Sequence, residues 1–132
     1  MKARETVLYY CPQGTKHKNQ VKAVLVQMGV RIKNIDQDQI GQTIGYLAGI
    51  PGFEKKEEGT ENVPIREEVL VMKDFAGSRM DQLFLGLRRA KVPSGALKAI
   101  ITDSNVNWSF YQLYQELVKE RTAIAKAAEE KE

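Results

Sequence analysis

The chain has one cysteine, Cys11, and one histidine, His17. A lone cysteine excludes an internal disulfide and a cysteine-based zinc site, and a lone histidine excludes a histidine-rich metal centre. No metal and no cofactor is therefore expected. No run approaches the roughly 20 apolar residues of a spanning helix, and the opening residues lack the apolar core of a signal peptide, so the expectation is a cytoplasmic protein with no membrane partner. The net charge of +3 is not gathered into a basic stripe. Without such a stripe, an RNA-binding aromatic signature or a helix-turn-helix pattern, nucleic acid is not an expected partner.

What the sequence does contain is an alternation. Four short β-branched or apolar runs, Glu5 to Tyr10, Arg31 to Ile35, Glu68 to Lys73 and Leu97 to Thr102, are each followed by a polar loop and then a segment of helical period. Within 132 residues this pattern predicts a single α/β domain (1–132) of three layers, with a four-stranded, mainly parallel sheet in the order 2-1-3-4 and helices on both faces. Such a sheet would be flavodoxin-like, or like a degenerate receiver domain. In that arrangement the loops after strands one, three and four converge at the C-terminal end of the sheet.

Val21, Val24, Leu25 and Met28 mark the first helix, with Gly29 placed for a left-handed cap. Asp36 or Asp38 is positioned to cap a second helix with Ile40, Ile44, Leu47 and Ala48 on its apolar face. Gly41, Gly45 and Gly49 would line one side of that helix. They suit close packing against the sheet or a neighbouring chain, and they also predict a short or irregular helix. Residues 54–62 form a charge run without periodicity, expected to be a mobile loop. Ser78 and Asp81 resemble a capping box for the third helix, and the last helix is expected from Trp108, burying Phe110, Leu113, Tyr114 and Leu117. Its tail, 122–132, has little to bury and is expected to fray.

Few residues offer chemistry. Cys11 ends the first strand and, with Lys16 and a helix start nearby, is the one candidate nucleophile. The sharper versions of that idea fail on spacing: a phosphatase-type loop needs arginine where His17 stands, and a thioredoxin-type site needs a second cysteine at Gly14. Gln13 to Lys18, with Gly14, Thr15 and Lys16, resembles a phosphate cradle but lacks the glycine spacing and the terminal GK[ST] of a P-loop. Asp74 stands where a receiver carries its phosphoacceptor and Thr102 where it carries a hydroxyl. The acidic pair after strand one is missing, however, so no phosphotransfer is implied.

The segment Leu97-Lys98-Ala99 with Thr102, Asn105 and Trp108, preceded by VLVMKDF and followed by an amphipathic helix, is similar to a small bacterial family known only as a domain of unknown function. That resemblance implies no activity. Thr102 and Asn105 have the short polar side chains that cap a strand-to-helix turn; the alternative is a ligand pocket with Trp108 as one wall.

The leading expectation is a non-catalytic module binding a small, anionic ligand or a protein partner through Cys11, Thr15, Lys16, Asp74, Thr102, Asn105 and Trp108. The alternative is a small thiol-dependent enzyme using Cys11. A homodimer through strand four or the aromatic-rich last helix is a further expectation, because an open sheet leaves an edge to cover.

Overall fold

The structure is a computed structural model that describes residues 5–12, 17–55, 65–92 and 97–130, with side chains as far as Arg121. The elements run β1 (Thr6–Tyr10), α1 (Lys18–Gln27), β2 (Arg31–Ile35), α2 (Ile44–Leu47), β3 (Val69–Lys73), α3 (Gly77–Arg89), β4 (Leu97–Ile100) and α4 (Phe110–Glu130), with 3-10 turns at Gln37–Gln39 and Asn105–Asn107. The anticipated loop at 54–62 falls mostly outside the described residues. So do Thr15 and Lys16. The helix α4 continues through Glu130, into the segment expected to fray.

The four strands form one sheet in the order β2-β1-β3-β4. The α/β class, the order and the helices on both faces match the sequence expectation. The directions differ in one place: β1 pairs in parallel with β2, and β3 with β4, but β1 and β3 are antiparallel, with Thr6 opposite Lys73 and Tyr10 opposite Val69. The connection from β2 explains this. An α-helix long enough to traverse the sheet would carry the chain to the far end before β3 begins, whereas α2 has only four residues, about 6 Å of helix, and stops at Gly49 with φ of 74°. The chain goes out over the face, doubles back and enters β3 from the end at which β2 finished.

Alternation along the strands divides the core in two. Val7 and Tyr9 of β1 with Leu70 and Met72 of β3 face Val21, Leu25, Leu83 and Leu87 of α1 and α3. Leu8 and Tyr10 with Val69 and Val71 face Ile40, Ile44, Leu47, Phe110 and Leu113 from the α2 and α4 side. Full burial of β1 suits a central strand covered on both faces. β2 is an edge strand, with Arg31 and Lys33 exposed.

Local chemistry sets the element ends. Gly29, at φ 72°, closes α1 in the expected left-handed conformation. Asp36 caps the first 3-10 turn through a reciprocal box with Gln39, and the Thr43 hydroxyl accepts from the Tyr46 N–H at 3.2 Å to start α2. The proposed capping box at Ser78 and Asp81 does not form. The cap of α3 is Ala76, whose carbonyl accepts from Arg79 and Met80, so Ser78 is already inside the helix. The last helix starts two residues later than expected, after Ser109, whose hydroxyl accepts from the Gln112 N–H. Phe110 is fully buried while Trp108, Tyr111 and Tyr114 pack partly against the same core, so its rings do not share one buried face.

The three spaced glycines do not share a helix either. Gly41 precedes α2 and Gly49 ends it, leaving Gly45, where an added Cβ would lie 2.6 Å from the Phe53 ring. A second close approach joins α1 to α3: a Cβ on Gly86 would come within 2.8 Å of Val24 Cγ1. Val24 is β-branched and buried, so it has no low-energy way to yield. Although alanine gains about 1 kcal/mol of helix propensity over glycine, Gly86→Ala is expected to lower stability, because overpacking typically costs about 1–3 kcal/mol. Urea denaturation of Gly86→Ala, Val24→Ala and the double variant checks this. The double variant should lose less than the sum of the singles, and strict additivity would rule out the contact as the cause.

Candidate functional site

Because β3 runs against β1, the sequence-predicted residues separate. Cys11 follows β1 at the end where β2 also finishes and β3 and β4 begin; Asp74, Thr102 and Asn105 lie at the opposite end, after β3 and β4. The expected single depression around Cys11, Lys16, Asp74, Thr102, Asn105 and Trp108 therefore does not form among the described residues, since its geometry required an all-parallel sheet; Lys16 lies outside those residues.

At the far end the polar groups are engaged in holding the turn. The Asn105 Oδ1 accepts from the Thr102 N–H at 2.8 Å, the Thr102 hydroxyl accepts from the Asn105 N–H at 3.1 Å, and Asn105 Nδ2 donates to the Ile100 carbonyl at 2.9 Å. Leu97 and Ile101 donate their N–H groups to β3, so by alternation the backbone of Ile100 points to the open edge of the sheet. The asparagine thus caps the turn and occupies the last acceptor of that edge. Trp108 packs partly against the α2 and α4 core, and its carbonyl accepts from the Ile44 N–H at 2.8 Å. Asp74, at φ 64°, pairs with Lys73 at 2.9 Å. These are structural arrangements.

At the near end there is a cleft of about 680 Å³ lined by Tyr10, Cys11, Pro12, Ile35, Asp36, Gln37, Ile65 and Arg66. Its position follows from the winding. The chain leaves β1 into α1 on one face of the sheet and leaves β2 toward α2 on the other, so adjacent parallel strands part company there and open a crevice at their C-terminal ends. The Tyr10 hydroxyl braces it, 2.8 Å from the Ile65 carbonyl and 3.0 Å from the Gln37 side-chain amide. With one proton to give, it donates to Ile65; Gln37 completes the set when its amide is turned to donate. Burial, followed by the neighbouring Cys11, raises the Tyr10 pKa, keeping the phenol neutral. Arg66 is exposed beside the cleft, and among the described residues it has no ion-pair partner.

Behind Cys11, on the α1 and α3 face, a second group of side chains gathers. Glu68 follows the register to stand across from Cys11, and its carboxylate accepts from the buried Tyr9 hydroxyl. Desolvation first, then that bond and the nearby thiol, push the Tyr9 pKa far above the ordinary phenol range. Lys98, half-buried, holds its ammonium 6.0 Å from the centre of the Phe84 ring; burial lowers its pKa while the Glu68 charge works against that. The Cys11 thiol makes a weak contact, 3.8 Å, to the Pro12 carbonyl and is also a hydrogen-bonding neighbour of the Tyr9 hydroxyl. Gln37, Arg66, Glu68 and Lys98 were not in the sequence-predicted set. Glu68, a charged residue just before the apolar run of β3, is the one signal that pointed toward a strand end; Lys98 lies inside β4.

The near end is also anchored to α4. Arg121 spans the Glu67 carboxylate at 2.6 and 3.1 Å, and Tyr114 donates to it at 3.3 Å. Among the described residues no group of histidine, cysteine, aspartate or glutamate is arranged to hold a metal, and no helix is long and apolar enough to cross a membrane.

Residues 68–124, from β3 through most of α4, are similar to a domain of unknown function, DUF3783. Neither curated proteins nor solved structures give a match. The matched stretch contains the Thr102 and Asn105 turn but lies outside Cys11, Gln37 and Arg66.

The anchor makes a pH prediction. The Arg121 hydrogen bond, helped by Arg121 charge and Tyr114 and opposed by desolvation, lowers the folded-state pKa of Glu67. Its contribution is therefore present above the unfolded carboxylate pKa and disappears as pH falls through the lower folded value. In urea titrations the stability difference between wild type and Glu67→Gln should shrink as pH falls from about 5 to about 3. A difference independent of pH would contradict the anchor.

Proposed function

We propose that the chain is a non-catalytic binding module that takes a small polar ligand in the cleft at the C-terminal ends of β1 and β2, with an anionic group of the ligand directed at Arg66. The observation that carries this reading is the coincidence of a cleft of about 680 Å³ with the point where the connections of two adjacent parallel strands leave for opposite faces. Open α/β sheets bind ligands at such points. The size lies within the range of small-molecule pockets. The lining supports it too: Tyr10 and Ile65 supply a braced, partly apolar wall, Gln37 an amide, and Arg66 a planar donor set suited to carboxylate or phosphate oxygens. Residence in the cytoplasm belongs to the same reading.

The reading predicts a binding site that depends on Arg66 and tolerates loss of the thiol. Nuclear magnetic resonance titration of the labelled chain with a small dicarboxylate and with a phosphomonoester should move the amides of Cys11, Ile35, Gln37 and Arg66 as a set. Arg66→Ala should abolish the shifts and Cys11→Ser should leave the affinity nearly unchanged. Shifts scattered over the surface, or equal responses from wild type and Arg66→Ala, would defeat the proposal. Loss of all binding in Cys11→Ser would favour a role for the thiol instead.

A further inference from the structure

The face opposite α2 and α4 carries a second concavity, a groove of about 660 Å³ between α1 and α3. The helices are antiparallel, since the start of α3 is tied to the end of α1 by Arg79, which donates to the Met28 carbonyl at 2.7 Å while spanning the Glu5 carboxylate. Their closest approach is at Gly86 against Val24. On either side of that approach the groove walls are two matching rows: Gln20, Ala23 and Gln27 on α1, and Gln82, Leu85 and Arg89 on α3. Both rows are spaced i, i+3, i+7, the spacing that a third helix laid along the pair meets with its own ridges. Leu85 is 41% exposed, an apolar side chain left on the groove wall.

The charges say what kind of helix fits. Arg89 is the one charged side chain lining the groove, and its neighbour Arg88 shares the last turn of α3. Among the described residues neither has an ion-pair partner. Lys18 and Lys22 of α1 add to the same layer, against the single carboxylate of Asp81 on α3. In α4, by contrast, the acids Glu116, Glu120, Glu129 and Glu130 offset the bases Lys119, Arg121 and Lys126, and two of the bases are paired, Lys119 with Glu116 and Arg121 with Glu67. The excess positive charge therefore sits on the α1 and α3 layer.

We infer that the α1–α3 groove docks an amphipathic helix of a protein partner, its small aliphatic face against Ala23, Leu85 and Gly86 and its carboxylates against Arg88 and Arg89. This surface is separate from the cleft at β1 and β2 and does not depend on how that cleft is used.

The test uses the whole chain, isotopically labelled, and two synthetic helical peptides with the same leucine and alanine face. One carries glutamates on its flanks and the other lysines at the same positions. The acidic peptide should shift the amides of Ala23, Gln27, Gln82, Leu85 and Arg89 and leave those of Gln37 and Arg66 in place. Arg89→Glu should weaken the acidic peptide several-fold and improve the basic one, and Leu85→Asp should abolish both, with circular dichroism unchanged because Leu85 is a surface position. Equal binding of the two peptides, shifts outside the groove or no shifts would overturn the inference. So would concentration-dependent shifts of these same amides in the protein alone, which would make the occupant a second copy.

Discussion

The hydrogen-bonded pairing of β1 with β3, running in opposite directions at the centre of the sheet, is the constraint from which the rest of the arrangement follows. Both strands are buried on two faces, so their backbone groups have no water to fall back on, and the ladder between them satisfies them. Reversing one strand reverses everything attached to it. The loops after β1 and β2 gather at one end of the sheet and those after β3 and β4 at the other, and the polar side chains of the molecule divide accordingly.

This division separates an end that is closed from one that is open. At the far end Thr102 and Asn105 exchange hydrogen bonds with each other's backbone, and Asn105 also takes the Ile100 carbonyl. No buried side-chain polar atom is left without a partner among the described residues. The near end has Tyr10 and Ile65 bracing a cleft and Arg66 exposed beside it. The similarity to DUF3783 over 68–124 includes the closed end and stops short of the β1 and β2 residues that shape the cleft. On this account the matched segment supplies half of the scaffold, and the N-terminal β1-α1-β2 unit supplies most of the cleft lining.

Much of the scaffold was legible in the residues. TVLYY, RIKNI, VLVMK and LKAI are strands as their β-branched and apolar runs imply, Gly29 caps α1, and the order is the 2-1-3-4 expected from right-handed crossovers with one reversal of winding. Strand direction was not legible. A central strand buried on both faces has the same apolar composition whether its neighbour is parallel or antiparallel. What decided it was the β2 to β3 connection, where Ile40, Ile44 and Leu47 have helical spacing but Gly49 halts the helix after one turn. Reading that stretch as a crossover between parallel strands, even with a short or irregular helix, placed Asp74, Thr102 and Trp108 beside Cys11. The residues that do meet Cys11, among them Glu68 and Arg66, come from a register between strands almost sixty positions apart, and no local pattern carries that information.

The central claim is therefore the direction of β3 relative to β1, and backbone proton contacts in solution test it directly. Antiparallel strands bring Hα protons of alternate opposed residues close together, which parallel strands do not. Arg31 donates to the Glu5 carbonyl and Leu97 to that of Glu68, so by alternation Thr6 with Lys73, Leu8 with Val71 and Tyr10 with Val69 are the hydrogen-bonded pairs, and strong Hα to Hα contacts are expected in the intervening pairs Val7 with Met72 and Tyr9 with Leu70. Contacts that instead place Thr6 beside Val69 and Tyr10 beside Lys73 would mean a parallel pair, and would contradict both the cleft at β1 and β2 and the separation of the two ends.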